Sequence, residues 1–493
     1  MRGVKAIWAL AFAALLTLGA AAVWMGGLNQ DEGWYLYAAN LVSEGRMPYR
    51  DFFYTQGPLL PIVYSAFTGI WRTWGLAGAR LFTLLAGVAG ILFAVALARR
   101  LVSAERRNGV GLIAFALLGC NLYHLYYLTI PKTYALAALF VMSGFYLLSI
   151  AVERRAALAL PAGLALAFAA GARISLGALL VVTGLGLLLS RRWRPLAWFC
   201  IGGFAGLALV YGPFLLDDGA RAGLLAAQRY HAARGGSDLV WVVGSFSRLV
   251  RWYLPAFSLV GFGILARFFG TKPAADGSDR SGAAFAPGIL LWGFLAVFAV
   301  QMMAPFPYED YQVPVMGLLA VFAAVTVGSR LAAHGPLAVL CVCLACSFGS
   351  PLLEKWMTNG QDRFWSLKKE KCELAQLRDV ARRIEALDPG GRDLLTQDLY
   401  LAIETDRHVP QGLEMGPFAM LDDAGWRKLL ESAPCRIAAL SGYSFAIDPP
   451  ACGERSLDSQ MAYWGILKRK YELVGSEAAF GQNATTLMIL RRK

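Results

Sequence analysis

The sequence predicts a polytopic α-helical membrane protein that carries a small α/β domain at its C-terminal end. Of its 493 residues, 57% are hydrophobic and only 16% are charged, which is more apolar surface than one water-soluble core can bury. Apolar windows long enough to cross a bilayer recur from Ala6 to about Leu353 and then stop. We therefore expect a membrane domain over residues 1–353 and a soluble α/β domain over residues 354–493.

The apolar windows predict eleven membrane spans. Their centres lie near residues 16, 88, 117, 140, 164, 182, 205, 261, 294, 320 and 345, and the fifth and sixth spans are short. An odd number of spans places the two chain ends on opposite sides of the membrane. The small residues in LGAAAV leave open an alternative, in which the first span is a signal peptide cleaved after about Ala22.

Basic residues predict the orientation of these spans. They cluster in alternate short connections, as Arg2 with Lys5, Arg99 with Arg100, Arg106 with Arg107, Arg154 with Arg155, and Arg191, Arg192 and Arg194 together. Cytoplasmic loops are enriched in Lys and Arg, so the 28–75 segment and the C-terminal domain should face outward. The clusters also account for much of the net charge of +13, and no zinc-finger or RNP-type pattern accompanies it. We therefore predict no nucleic-acid partner.

The 28–75 segment opens with NQDEGWYLYAANLVSEG, residues 29–45. Asn29 followed three residues later by Glu32 predicts a capping box that opens a helix running to about Ser43. This cap accounts for Glu32 in structural terms.

The cap does not require Asp31, which at helical spacing shares a face with Trp34 and Tyr35. An acid beside flat rings suits a polyol, because the rings lie against the C–H face of a sugar while the carboxylate accepts a hydroxyl proton. The structural alternative is an acid favoured in the first helical turn by the macrodipole. Asp31 is therefore the candidate general base.

The segment continues with GRMPYRDFFYTQGPLLPIVYSAF, which carries Tyr49 and Tyr54 among its four central aromatic residues. Its prolines and its glycine at position 57 interrupt helix formation. We interpret it as a re-entrant or interfacial aromatic element. The alternative is an aromatic belt that anchors at headgroup depth without taking part in chemistry.

Four stretches carry a resemblance to a known family. DEGWYLYAANLVSEG and PYRDFFYTQGPLLPIVY, in that order, resemble the first outer loop of GT-C membrane glycosyltransferases, in the bacterial protein O-mannosyltransferase and aminoarabinose-transferase superfamily. LALAFAAGARISLGALLV resembles the span in which that family places a basic residue near the outer face, and PFPYEDYQVPVMGLLAVFAAV resembles its late tyrosine-proline segment. The resemblance implies a GT-C fold in a bacterial inner membrane, with a cytoplasmic N-terminus and a periplasmic C-terminal domain.

The function implied by the resemblance is inverting transfer of a sugar from a polyprenyl-phosphate donor to the hydroxyl of a lipid, glycan or protein acceptor at the outer face. Asp31 matches the family's catalytic acid. The expected contacts to sugar or lipid are Glu32, Trp34, Tyr35, Tyr49, Tyr54, Gln56 and Tyr311. A nucleotide-sugar donor is not expected, because the short basic inner loops lack a glycine-rich turn for a diphosphate.

The sequence also departs from the family at positions that concern the donor phosphate. Gln56 stands near the place where aminoarabinose transferases have a lysine before paired prolines, and Lys132 in TIPKTYALA replaces an acid that many relatives carry. A metal held between two acids is therefore not expected, and no cofactor is predicted.

A fixed cation near the bilayer is the simplest compensation for the charge of a departing phosphate, and Lys132 and Arg173 are our candidates. Arg173 lies between two short apolar segments, where the alternative role is snorkelling to the interface. Arg80, Arg248 and Arg251 are weaker options, more typical of interfacial anchors.

The C-terminal region mixes helical periodicity over residues 367–387 and 420–430 with the strand-like runs DLLTQ, CRIAAL and TTLMIL. No phosphate-binding glycine motif occurs in it, which favours acceptor recognition or simple covering of the active site. Its outward position permits disulfides, and among Cys372, Cys435 and Cys452 we expect the last two to pair.

The alternative function is a transporter or flippase of lipid-linked sugars with an extracytoplasmic sensor domain. Such a protein should show internal repeats and broken helices with ionisable residues at mid-membrane. The sequence shows no repeat, and its notable charges lie at the predicted membrane faces. These observations favour the glycosyltransferase.

Overall fold

The chain is mostly α-helical in the computed structural model, which describes residues 2–233, 235–236, 238–269, 285, 287–328, 330–331, 334–358, 371–419, 421–442 and 457–493. The helices of the first part are α1 Arg2–Met25, α2 Gln30–Ser43, α3 Leu59–Ser65, α4 Thr68–Arg100, α5 Arg107–Gly119, α6 Leu122–Thr129, α7 Thr133–Glu153, α8 Ala159–Ala172, α9 Gly177–Leu189, α10 Trp193–Leu216, α11 Asp218–Ala232, α12 Leu239–Trp252, α13 Leu254–Phe269, α14 Gly288–Met302, α15 Met316–Gly328, α16 Gly335–Phe348 and α17 Pro351–Thr358. Short 3₁₀ helices precede α8, α9 and α15, at Ala156–Leu158, Ile174–Leu176 and Glu309–Val315.

Every predicted span centre falls inside one of these apolar helices or bent helix pairs. Among the described residues, five stretches are long and apolar enough to cross a membrane: Val4–Met25, Thr68–Arg100, Thr133–Glu153, Trp193–Leu216 and Glu309–Gly328. Two bent pairs, α5 with α6 at 63° and α16 with α17 at 42°, raise this number to seven if each pair is one span. The remaining centres lie in apolar helices of 10–17 residues, so the count of eleven spans is not confirmed.

Glycines allow the membrane helices to approach closely. A Cβ on Gly163 of α8 would collide with the carbonyl oxygen of Phe199 in α10, and one on Gly202 would collide with that of Leu160. Small residues at such crossings gain van der Waals contact where a bilayer supplies no hydrophobic driving force. At the other end of α8, beside Arg173, the Tyr211 hydroxyl of α10 donates to the carbonyl oxygen of Ala170 at 3.0 Å, so α10 also holds this end.

The basic clusters at the ends of α4 and α7 lie together. Arg100 pairs with Glu153 at 2.5 Å, and a Cβ on Gly111 of α5 would meet the side chain of Arg99 at 2.7 Å. The 21-residue α7 spans about 32 Å between Lys132 and this basic end. Lys132 therefore lies about one hydrocarbon thickness from the basic end.

The C-terminal region forms the predicted α/β arrangement. It contains α18 Glu373–Leu387, β1 Leu394–Leu395, α19 Leu399–Glu404, α20 Asp423–Ser432, β2 Ile437–Ser441, α21 Leu457–Lys470, β3 Tyr471–Phe480 and β4 Thr485–Arg492. The sheet order is β1-β2-β4-β3, with β1 parallel to β2 and the other neighbours antiparallel. The three predicted strand-like runs are β1, β2 and β4, whereas α21 and β3 were not predicted.

This domain packs directly on the 28–75 segment. Buried residues of α2, including Tyr35 and Leu36, form one hydrophobic cluster with buried residues of α18, α19 and the sheet. A Cβ on Gly33 would collide with the backbone of Leu399 and Tyr400, so only glycine permits this approach of α19 to α2. The soluble domain and α2 therefore share a core.

Candidate functional site

The start of α2 positions Asp31 through the predicted cap. The Asn29 side chain accepts from the backbone N–H of Asp31 at 3.0 Å, and the Glu32 carboxylate accepts from that of Asn29 at 2.9 Å. Both halves of the capping box are present, and the helix ends at Ser43 as predicted. The C-terminal domain adds a second hold, since Gln482 accepts from the N–H of Gln30 at 2.8 Å.

The Asp31 carboxylate lies between an ammonium and an indole. Its Oδ2 is 2.6 Å from Lys132 Nζ, and its Oδ1 accepts from Trp34 Nε1 at 2.9 Å. The side chain is 23% exposed, so it remains accessible to a ligand. Burial by itself raises the pKa of Asp31. The Lys132 ammonium, the hydrogen bond from Trp34 and the more distant Arg173 lower it by a larger amount, so the pKa of the carboxyl lies below its usual range. Asp31 is therefore a carboxylate at neutral pH.

Lys132 connects Asp31 to a second carboxylate that the sequence analysis did not single out. Its Nζ lies 3.2 Å from Asp310 Oδ2, and the Tyr134 hydroxyl donates to the same oxygen at 2.7 Å. The Lys132 and Asp310 side chains are 9% and 11% exposed. The acids in PFPYEDYQ, next to the chosen Tyr311, were the signal that could have found Asp310.

Arg173 lies where α8 ends, in extended backbone at φ −147°. Its guanidinium carbon is 4.2 Å from the centroid of the Tyr311 ring and 5.2 Å from that of Tyr134. In the part of the chain that the structure describes, no carboxylate lies within 4.0 Å of this guanidinium. The structure thus brings Asp31, Lys132, Arg173 and Tyr311 to one site, with Arg173 unpaired by any described acid.

Glu32 faces away from this site. It is fully buried and holds Arg80 in two contacts of 2.6 and 2.7 Å. Arg80 also donates to the carbonyl oxygen of Val23, in the last turn of α1, and to those of Gly26 and Gly27, which follow the helix. The expectation that Glu32 contacts sugar or lipid has no support in this geometry, and the interfacial option for Arg80 is wrong, because the side chain is completely buried.

The aromatic residues of the 28–75 segment are mostly packed inside. Tyr35 stacks on Trp34 with ring centroids 3.7 Å apart, and both rings are almost fully buried. Tyr49 and Tyr54 are buried as well, so these two do not form an exposed belt. The Tyr49 hydroxyl donates to the carbonyl oxygen of Gln56, and the Tyr54 hydroxyl has no hydrogen-bond partner among the described residues.

The segment around Gln56 closes against the helix that carries Arg173. A Cβ on Gly57 would collide with the carbonyl oxygen of Gly171 and would lie 3.2 Å from the carbonyl carbon of Ala172. Gln56 is partly exposed beside this contact. The close approach requires glycine, which links the aromatic segment to the position of Arg173.

Neither a metal cluster nor the expected disulfide can be assigned. Among the described residues, no group of three or more His, Cys, Asp or Glu side chains could hold a metal ion. Cys435 is buried, and burial raises its pKa to about 12. Cys452 lies outside the described residues, so the expected Cys435–Cys452 pair stays a prediction.

The comparisons with known proteins identify the fold. No protein-family model and no curated protein matches the chain. The crystal structure of ArnT from Cupriavidus metallidurans bound to undecaprenyl phosphate is similar at a TM-score of 0.61 and 16% identity, over 98% of this chain and 97% of that chain. The apo structure of the same protein gives 0.63 and 16%, over 99% and 98%. This chain therefore has the fold of ArnT, an aminoarabinose transferase of the GT-C type, as the sequence resemblance predicted.

Proposed function

We propose that this chain is a membrane glycosyltransferase that transfers a sugar, with inversion, from a polyprenyl-phosphate donor to an acceptor hydroxyl at the outer face of a bacterial inner membrane. The observation that carries the proposal is the ionised, partly exposed Asp31 beside the cations Lys132 and Arg173. The similar ArnT structure, which contains undecaprenyl phosphate, supports the donor class.

The groups of the site match the charges of this reaction. Asp31 would accept the proton of the acceptor hydroxyl while the acceptor oxygen forms a bond to the anomeric carbon. The bond from that carbon to the phosphate oxygen breaks on the opposite face, which inverts the configuration and releases polyprenyl phosphate. Arg173 has no described acidic partner, so its guanidinium is available for the growing negative charge on the leaving phosphate.

The donor class is tested with purified protein in detergent. A synthetic polyprenyl-phosphate sugar and the matching nucleotide sugar are supplied separately, together with an acceptor extract from the membrane. We expect transfer from the lipid donor alone. Transfer from the nucleotide sugar alone would contradict the proposal. In a second assay, with the protein reconstituted into vesicles, movement of the lipid-linked sugar across the vesicle membrane without transfer would favour the flippase.

Asp31→Asn tests the base, because the amide keeps the shape and cannot accept the proton. Loss of one positioned base lowers the rate by about 10² to 10⁴-fold. The matched control is Asp51→Asn, which makes the same change in the same segment, at an acid paired with exposed Arg50. Turnover of Asp31→Asn at the rate of the control would exclude Asp31 as the base.

A further inference from the structure

We propose that Asp310 is a positioning residue that holds the Lys132 ammonium between two carboxylates, so that this one cation serves both Asp31 and the phosphate of the donor. The proposal rests on the proposed function for the identity of the phosphate. It adds a residue that neither the sequence resemblance nor the comparisons with known proteins point to.

The first argument is the number of donors on the ammonium. A lysine ammonium has three N–H groups. Two of its partners are Asp31 at 2.6 Å and Asp310 at 3.2 Å, and the described residues supply no other hydrogen-bond acceptor to Nζ. The same Nζ lies 4.7 Å from the centroid of the Tyr134 ring. The third N–H group therefore has no described oxygen or nitrogen acceptor and can donate to an oxygen atom of a ligand.

The second argument is the rigidity of the arrangement. A lysine side chain has a long flexible stem, and fixing it costs up to about 2 kcal/mol of rotamer entropy. Asp310 supplies a second anchor, and its Oδ2 is itself held by the Tyr134 hydroxyl at 2.7 Å. Lys132 and Tyr134 both belong to the start of α7, so one helix end orients the ammonium and its anchor together.

The third argument is the charge balance. The site contains two carboxylates, Asp31 and Asp310, and two cations, Lys132 and Arg173. If Asp310 acted on the phosphate only through its own charge, it would repel the phosphate. A carboxylate that improves phosphate binding must therefore act through the position of Lys132. The two roles predict opposite changes in phosphate affinity when the Asp310 charge is removed, and this difference makes the proposal testable.

The experiment measures binding of a sugar-free synthetic polyprenyl phosphate to the full-length protein in detergent. It uses the unaltered protein, Asp310→Asn, Lys132→Met and the double variant. We expect Asp310→Asn to weaken binding about tenfold when Lys132 is present, and to leave binding unchanged or stronger in the Lys132→Met background. Tyr134→Phe, which preserves all charges, should weaken binding about threefold and covers the case in which Asp310→Asn does not fold.

The outcomes separate the possible roles of Asp310. Stronger binding of Asp310→Asn in both backgrounds would mean plain charge repulsion, and weaker binding in both would mean a structural role; either result would overturn the proposal. Binding by the unaltered protein together with either of these results leaves the proposed function intact. No binding of polyprenyl phosphate by the unaltered protein would overturn the donor class and this inference together.

Discussion

Two adjacent carboxylates at the start of α2 have opposite surroundings. Asp31 is partly exposed and pairs with Lys132, which itself has a second acidic partner. Glu32 is completely enclosed and is the acid that neutralises the buried guanidinium of Arg80. Chain position alone does not distinguish the two acids, because the difference comes from residues that are 48 or more positions away.

Glu32→Gln should therefore destabilise the protein. Glutamine can close the capping box, but it leaves the Arg80 charge buried without a counter-charge, and breaking such a pair typically costs about 3–5 kcal/mol. We expect a clear fall in the temperature of thermal unfolding in detergent. Asp31→Asn, the same change one residue earlier, is the control and should unfold near the temperature of the unaltered protein. Equal unfolding temperatures for both variants would show that the Arg80 pair contributes little.

At the scale of elements, the local capping signal predicted the start of α2, whereas the long-range pair of Lys132 with Asp310 was not predicted. The capping box of α2 depends on two residues three positions apart, so the sequence alone predicted both of its hydrogen bonds. The Lys132–Asp310 pair joins residues 178 positions apart, and no periodicity reports such a contact. Strand β3 was missed because it follows α21 without a break and is mostly exposed, so it lacks the apolar alternation of a half-buried strand.

Because Gly57 packs against the end of α8, we expect substitution of Gly57 to lower activity even though this residue is not assigned a contact with a ligand. Alanine at position 57 would push the aromatic segment away from the carbonyl of Gly171, two residues before Arg173. A displacement of about 1 Å in a positioned group can cost about 10²-fold in rate. The assay compares Gly57→Ala with Gly69→Ala, whose added methyl group meets nothing within 4 Å. We expect only the first variant to lose activity, and equal rates would exclude this coupling.

At the scale of the whole molecule, the C-terminal domain and the 28–75 segment form one packed unit around Asp31. Glu373 accepts from the N–H of Leu28 at 2.6 Å, and Asp398 accepts from the Gln30 amide at 2.8 Å. Glu404 accepts from the N–H of Leu76 at the other end of the segment, at 2.7 Å. These contacts require both parts to lie on the same side of the membrane, and they support the expectation that the domain covers the site.

The same geometry predicts which positions face the cell exterior. Lys132 and the basic end marked by Arg100 and Glu153 lie at opposite ends of α7, about 32 Å apart. Enrichment in Lys and Arg predicts that the basic end faces the cytoplasm. In a cysteine-free background, we expect an impermeant maleimide on intact spheroplasts to label Lys371→Cys, an exposed position in the C-terminal domain. It should not label Ser190→Cys, an exposed position beside the basic cluster at Arg191. Permeabilised cells supply the control, because both positions should then react. Labelling of Ser190→Cys alone in intact spheroplasts would invert the orientation and place Asp31 in the cytoplasm, where a periplasmic transfer reaction cannot occur.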